Sequence, residues 1–70
     1  METTFAEILR EFLTLKGLTQ TAFARAVGVK QSQVSEWLRG KASPGYDALR
    51  RMSLAYGVSV DYFLGLREDF

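Results

Sequence analysis

The sequence predicts an all-α fold, and three observations carry that reading. Apolar residues recur at i, i+3 and i+4 through most of the chain. No stretch keeps the apolar–polar alternation of a half-buried strand, and glycines fall where successive helical stripes run out. Seventy residues offer apolar surface for one modest core, so 1–70 is expected to be a single domain. With 47% hydrophobic and 24% charged residues, the chain has the composition of a globular protein.

The first helix is expected from about Thr4 to Lys16, with Phe5, Leu9, Phe12 and Leu13 on one stripe, an acidic outer side and Gly17 as its stop. Thr19 is placed to cap a short second helix, its hydroxyl accepting a backbone N–H that has no partner inside the helix. Phe23, Ala24 and Val27 form the inner face of that helix. Gly28 ends it after barely two turns, because a tight turn into the next helix needs a left-handed conformation that glycine adopts without strain. Val29 then turns inward. A third helix spans roughly Lys30 to Arg39, burying Val34, Trp37 and Leu38 and stopping at Gly40; the rest of it is polar. Ser43-Pro44-Gly45 is a turn signal, and a fourth helix from about Tyr46 to Tyr56 presents Leu49, Met52, Ser53 and Tyr56 inward before Gly57 closes it. Ser59 caps a short fifth helix reaching about Leu64, whose Val60, Phe63 and Leu64 complete the core with Val58.

Cysteine and histidine are both absent. Disulfides, thiolate nucleophiles, imidazole bases and the usual transition-metal ligands go with them, so no metal, cofactor or enzymatic activity is expected. Glu7 and Glu11 share a helical face, but a solvated acidic face explains them without chemistry. Gly40-Lys41-Ala42-Ser43 matches the end of a phosphate-binding loop, yet it lacks the upstream glycine and the strand that such a loop needs. The longest apolar runs are two or three residues, where a bilayer span takes roughly 20. The first residues carry Glu2 and no basic segment ahead of an apolar run. No membrane association is expected, and the cytoplasm is the expected compartment.

The formal net charge is only +1, but its distribution is uneven. Between Lys16 and Arg51, seven cations (Lys16, Arg25, Lys30, Arg39, Lys41, Arg50 and Arg51) face Glu36 and Asp47, a net +5. Outside that window Arg10 and Arg67 face six carboxylates, a net −4. A basic centre between acidic ends is the pattern of a chain that turns one surface toward a polyanion.

Two short helices joined by a turn of three or four residues around a glycine form a helix-turn-helix unit, here about residues 20–38. Phe23, Val27, Val29, Val34 and Trp37 are apolar where the crossing of the pair must be fixed, and Ala24 is small where the two helices approach closely. Ala24, Gly28 and Val34 are thus a steric set, each with its own reason.

These residues carry a family resemblance. Gly17-Leu18-Thr19-Gln20, Phe23-Ala24, Val27-Gly28-Val29, Val34-Ser35, Trp37, Arg39-Gly40-Lys41, Pro44 and Gly57-Val58-Ser59-Val60-Asp61-Tyr62 are similar to the phage-repressor and Cro-like (Xre-type) helix-turn-helix family over about residues 5–65. The resemblance implies a compact five-helix, lambda-repressor-like domain whose third helix enters the major groove of double-stranded DNA, and a homodimer on a near-palindromic operator.

With Val34, Trp37 and Leu38 buried, the opposite face of the third helix shows Ser32, Ser35, Glu36 and Arg39, with Gln31 and Gln33 at the flanks. Gln31 and Ser32, nearest the N-terminal end, are the first candidates for base contacts, followed by Glu36 and Ser35. Glutamine can pair with adenine, and glutamate can accept from cytosine N4. Gln20, where the resemblance implies a phosphate contact, joins Lys30, Arg39, Lys41 and Ser43 as candidates for the DNA backbone. Arg25, Arg50 and Arg51 could equally be solvated.

Many members of the family pair an arginine late in the first helix with a glutamate in the third, where this chain has Leu13 and Leu38. Replacing a buried ion pair by two apolar residues can be neutral, whereas losing one partner costs roughly 3–5 kcal/mol, so Leu13 is expected to touch Leu38. Ile8, Leu15, Leu54, Leu66 and Phe70 lie off the core stripes or in the tail and are candidates for a dimer interface, Leu54, Leu66 and Phe70 foremost. The expected function is sequence-specific binding of duplex DNA by a transcriptional regulator, a repressor that occupies its operator without a cofactor. With no room for a sensor domain, control would come from the chain's own concentration, proteolysis or a regulatory protein partner. Two other readings use the same fold: an antitoxin-like module that binds DNA and a toxin protein, and a protein-binding scaffold with no affinity for DNA.

Overall fold

A computed structural model describes residues 4–69. Five α-helices follow one another: α1 (Phe5–Lys16), α2 (Gln20–Val27), α3 (Gln31–Leu38), α4 (Tyr46–Tyr56) and α5 (Val60–Phe63). Their ends are set locally. Thr4 Oγ1 accepts from the Glu7 amide at 3.2 Å, and Thr19 Oγ1 accepts from the Ala22 amide at 3.0 Å, each satisfying an amide that the first turn leaves unpaired. At the far end of α1, Gly17 takes φ +64° and the Leu18 amide reaches back to the Leu13 carbonyl at 2.9 Å. Ser59 Oγ accepts from the Asp61 amide at 3.1 Å to start α5.

One cluster of buried side chains joins all five helices. Phe12 is its centre, with ring centroids 5.2 Å from Phe63, 5.4 Å from Tyr56 and 6.2 Å from Phe23. Phe23 and Tyr56 stack at 5.6 Å, which ties α2 to α4, while the half-buried Phe5 meets Trp37 edge-on at 6.0 Å and ties the start of α1 to α3. Such aromatic pairs stabilise beyond the area they bury. The helix-turn-helix pair is therefore held on two sides, with α3 packed against α1 and α2, and α2 against α4.

Four side chains depart from the expected core, one of them Val60, which is only half-buried and outside the core cluster. Ile8 is 6% exposed and belongs to the core, because α1 packs on both α3 and α5 and buries a wider stripe than a single neighbour would require. It is not available for a dimer interface. Leu64, expected inside, is 51% exposed: α5 ends at Phe63 after one turn, and Tyr62 takes the inward place beside it. Leu38 is only half-buried. Leu13 and Leu38 line a common open cleft of about 470 Å³ with Arg10, Thr14 and Gln20.

Candidate nucleic-acid interface

Gly28 is what allows α3 to stand out from the body. At φ +82° it accepts the left-handed conformation in which its own amide and that of Val29 both return to the Ala24 carbonyl, at 2.9 and 3.0 Å, turning the chain within three residues. Lys30 then takes the N-cap position of α3 with extended backbone. Its amide donates to Gln33 Oε1 at 3.0 Å, half of a capping box; a lysine ammonium has no lone pair with which to complete the other half. Gln33, anticipated only at the flank of the reading face, thus spends its carbonyl oxygen on fixing the start of the helix.

Eight residues at 1.5 Å each make α3 about 12 Å long. Val34 and Trp37 are its buried anchors. Gln31 and Ser32 are exposed on its first turn, and Ser35 and Glu36 follow, partly exposed, one turn on. None of these four carries an apolar side chain, and Gln31, Ser32 and Ser35 have no side-chain hydrogen bond among the described residues. Glu36 is tied to Arg39, Nη2 to Oε1 at 3.1 Å. A helix with its side chains is 10–12 Å across, matching a major groove about 12 Å wide, and its polar outward side chains are of the kinds that meet base edges.

Cations bracket this face. Lys30 precedes α3, Arg39 is its C-cap, and Lys41 lies exposed in the loop that follows, with exposed Ser43 beside it. Lys30 and Lys41 make no ion pair among the described residues, nor do Arg25 and Arg50. Gln20 opens α2 and lines the cleft shared by Leu13 and Leu38. Thr19 Oγ1 takes the Ala22 amide, so the amides of Gln20 and Thr21 are the ones with no acceptor inside the helix. Leu54 and Leu66 are 70% and 71% exposed, and Leu15 is exposed as well; Phe70 lies outside the described residues.

Two arginines matter in a way their sequence positions did not announce. Arg10 Nη2 donates to the Leu38 carbonyl at 3.1 Å, and Arg51 Nη1 donates to the Gly28 carbonyl at 3.1 Å while its Nη2 pairs with Asp47 at 3.1 Å. Arg51, which could equally have been solvated, is engaged. The only signal for Arg10 was a lone cation between Glu7 and Glu11, three residues before Leu13.

A small helical body that projects a polar helix between basic ends belongs to the class of DNA-binding helix-turn-helix proteins. A family model described as helix-turn-helix matches residues 9–63, and the chain belongs to that family, the Xre/Cro/C1 type of DNA-binding helix-turn-helix domain. The family is one of regulators and not of enzymes. The chain is 33% identical over 64 residues to the HTH-type transcriptional activator BcrR of Enterococcus faecalis, covering 91% of this chain and 31% of that protein. It is 31% identical over 65 residues to an uncharacterized HTH-type transcriptional regulator, YobD, of Bacillus subtilis strain 168, covering 93% of this chain and 58% of that one. The chain therefore spans 31% and 58% of the length of these two curated relatives. Among solved structures, the DNA-binding domain of the P22 C2 repressor superposes with a TM-score of 0.85 at 26% identity, over 100% of this chain and 95% of that one. A transcriptional regulator from Listeria innocua shares the fold with a TM-score of 0.77 at 24% identity, over 90% of this chain and 59% of that one. Among the described residues, no helix is long and apolar enough to cross a membrane.

Proposed function

We propose that this chain is a sequence-specific binder of duplex DNA that places α3 in the major groove and represses transcription by occupying its operator as a homodimer in the cytoplasm. The observation that carries the reading is the outward face of α3, which is polar throughout and bracketed by Lys30 and Lys41, cations without an ion pair among the described residues. In this reading Gln31 and Ser32 contact bases from the first turn, with Ser35 and Glu36 behind them. Gln20, Lys30, Arg39, Lys41 and Ser43 hold phosphates and set the register without reading sequence. Gln20 does so beside free amides at the positive end of α2. The likeness to a repressor's DNA-binding domain supports this use of the fold. Leu54 and Leu66, exposed on and near the last two helices, supply the apolar surface for pairing two copies, and a two-fold dimer requires an operator of matching symmetry.

Selection from a pool of random duplexes at two salt concentrations, with Gln31→Ala beside the parent, tests the proposal. Enrichment of a two-fold symmetric motif by the parent, weakened by salt and relaxed at one position per half-site by Gln31→Ala, supports it. Absence of any enriched motif, together with absence of binding at low salt, rejects it.

A further inference from the structure

Resting on the reading of α3 as the DNA-facing helix, we propose that Arg10 and Arg51 are positioning residues that clamp α3 from its two ends, so that base discrimination depends on two side chains that do not touch DNA. The helix is weakly seated by packing alone. Of its eight residues only Val34 and Trp37 are buried, and Ser35, Glu36 and Leu38 are partly so. Two anchors three residues apart resist removal of the helix from the body better than they resist a small roll about its axis or a tilt of its ends. Recognition of base edges tolerates errors of only about 0.5 Å or 10–20° in the placement of the reading side chains.

The two guanidiniums supply what packing leaves open. Arg10, reaching from α1, donates to the carbonyl of Leu38, the last residue of α3, at 3.1 Å. Carbonyls in a last turn lack an intrahelical donor, and the negative end of the helix favours a cation there. Arg51, reaching from α4, donates to the carbonyl of Gly28, in the turn that launches α3, at 3.1 Å. Its second arm is held by Asp47 at 3.1 Å on the same face of α4, which fixes the fork before it meets the turn. The donors come from helices outside the helix-turn-helix unit, and the acceptors lie at the last residue of α3 and in the turn that precedes it, so the two bonds oppose movement of α3 from both sides of the reading face. Arg51 lies in the basic centre of the chain and would be counted as a phosphate contact by charge alone, whereas Arg10 lies between Glu7 and Glu11 in its acidic flank. Their engagement with main-chain carbonyls argues for a different role.

The test uses the full chain with Arg10→Met, Arg51→Met, the double variant and Arg10→Lys. Two quantities are read: the ratio of affinities for a selected duplex and a scrambled one, across a salt series, and amide hydrogen exchange along the backbone. Each methionine variant is expected to lower the ratio about fivefold, the effect of losing one such hydrogen bond, while affinity for the scrambled duplex and the salt slope stay as in the parent. Exchange should quicken at residues 39–41 in Arg10→Met and at residues 28–30 in Arg51→Met, with α4 unaffected. Arg10→Lys keeps a single donor within reach of the Leu38 carbonyl and should restore the ratio. A salt slope reduced by about one would make the arginine a phosphate contact and overturn the proposal. A ratio unchanged from the parent overturns it as well. If the parent itself prefers no duplex, the DNA reading fails by that result alone, and unchanged exchange in both methionine variants then rejects the clamp separately. Should a methionine variant not fold, Asp47→Ala, which releases only the second arm of Arg51, is expected to lower the ratio about twofold, and no change in it overturns the Arg51 half.

Discussion

The Glu36 carboxylate and the Arg39 guanidinium meet at 3.1 Å, three residues apart on the outward side of α3. Both side chains are about half exposed, so the pair adds little stability; its effect is to fix where the carboxylate points. A carboxylate only accepts hydrogen bonds, so in the groove it favours the amino groups of cytosine or adenine and is repelled by the two acceptors of guanine. Glu36→Ala is expected to move the urea midpoint by less than about 0.5 kcal/mol in stability, while relaxing preference at one base position per half-site by about 1–3 kcal/mol. Binding to single-position variants of the selected duplex checks it, and equal relaxation at every position would remove Glu36 from base readout.

Lys41 stands exposed beyond the end of α3 without an ion-pair partner among the described residues. Lys41→Ala is expected to weaken binding to all duplexes alike and to reduce the slope of log affinity against log salt by about one. Fluorescence titrations over a salt series measure both. A loss confined to the selected duplex would mean that Lys41 contacts a base.

Gly28→Ala isolates the cost of the turn. A methyl group there would meet Arg51 Nη1 at 3.5 Å, an ordinary contact, so the penalty comes from φ +82° and not from crowding. The expected destabilisation is about 1–2 kcal/mol by chemical denaturation. A neutral substitution would show that the turn relaxes to another conformation.

Local signals made most of the fold legible. Thr19, Gly17 and Gly28 each act on the backbone within a few residues, and the structure uses them at the positions their chemistry requires. Burial of Ile8, exposure of Leu64 and the inward turn of Tyr62 depend on which helices meet, which one stripe of side chains cannot reveal. The outward face of α3 was readable because its periodicity leaves the polar residues on one side. Arg10 and Arg51 were not, since their acceptors are main-chain carbonyls 28 and 23 residues away, and any residue type can supply a carbonyl.

Two phenols, Tyr62 buried and Tyr56 half-buried, give the fold an alkaline limit. Burial raises Tyr56 above its ordinary 10.0, and Tyr62 is raised first by burial and second by the negative charge of Glu11. Folded values above unfolded ones mean that the stabilisation is complete below about pH 10 and is lost as pH rises through the folded values, because the unfolded chain releases its protons first. Thermal midpoints are expected to fall above about pH 10, and less steeply in the Tyr56→Phe, Tyr62→Phe double variant. An equally steep fall in that variant would place the titrating groups elsewhere.

The central claim is that the first turn of α3 meets the bases, and amide chemical shifts of the labelled chain titrated with its selected duplex test it most directly. The account predicts the largest shifts at Gln31, Ser32 and Ser35, with a second group at Gln20 and Thr21. Shifts confined to α4, α5 and the residues after them, with α3 unmoved, would contradict it.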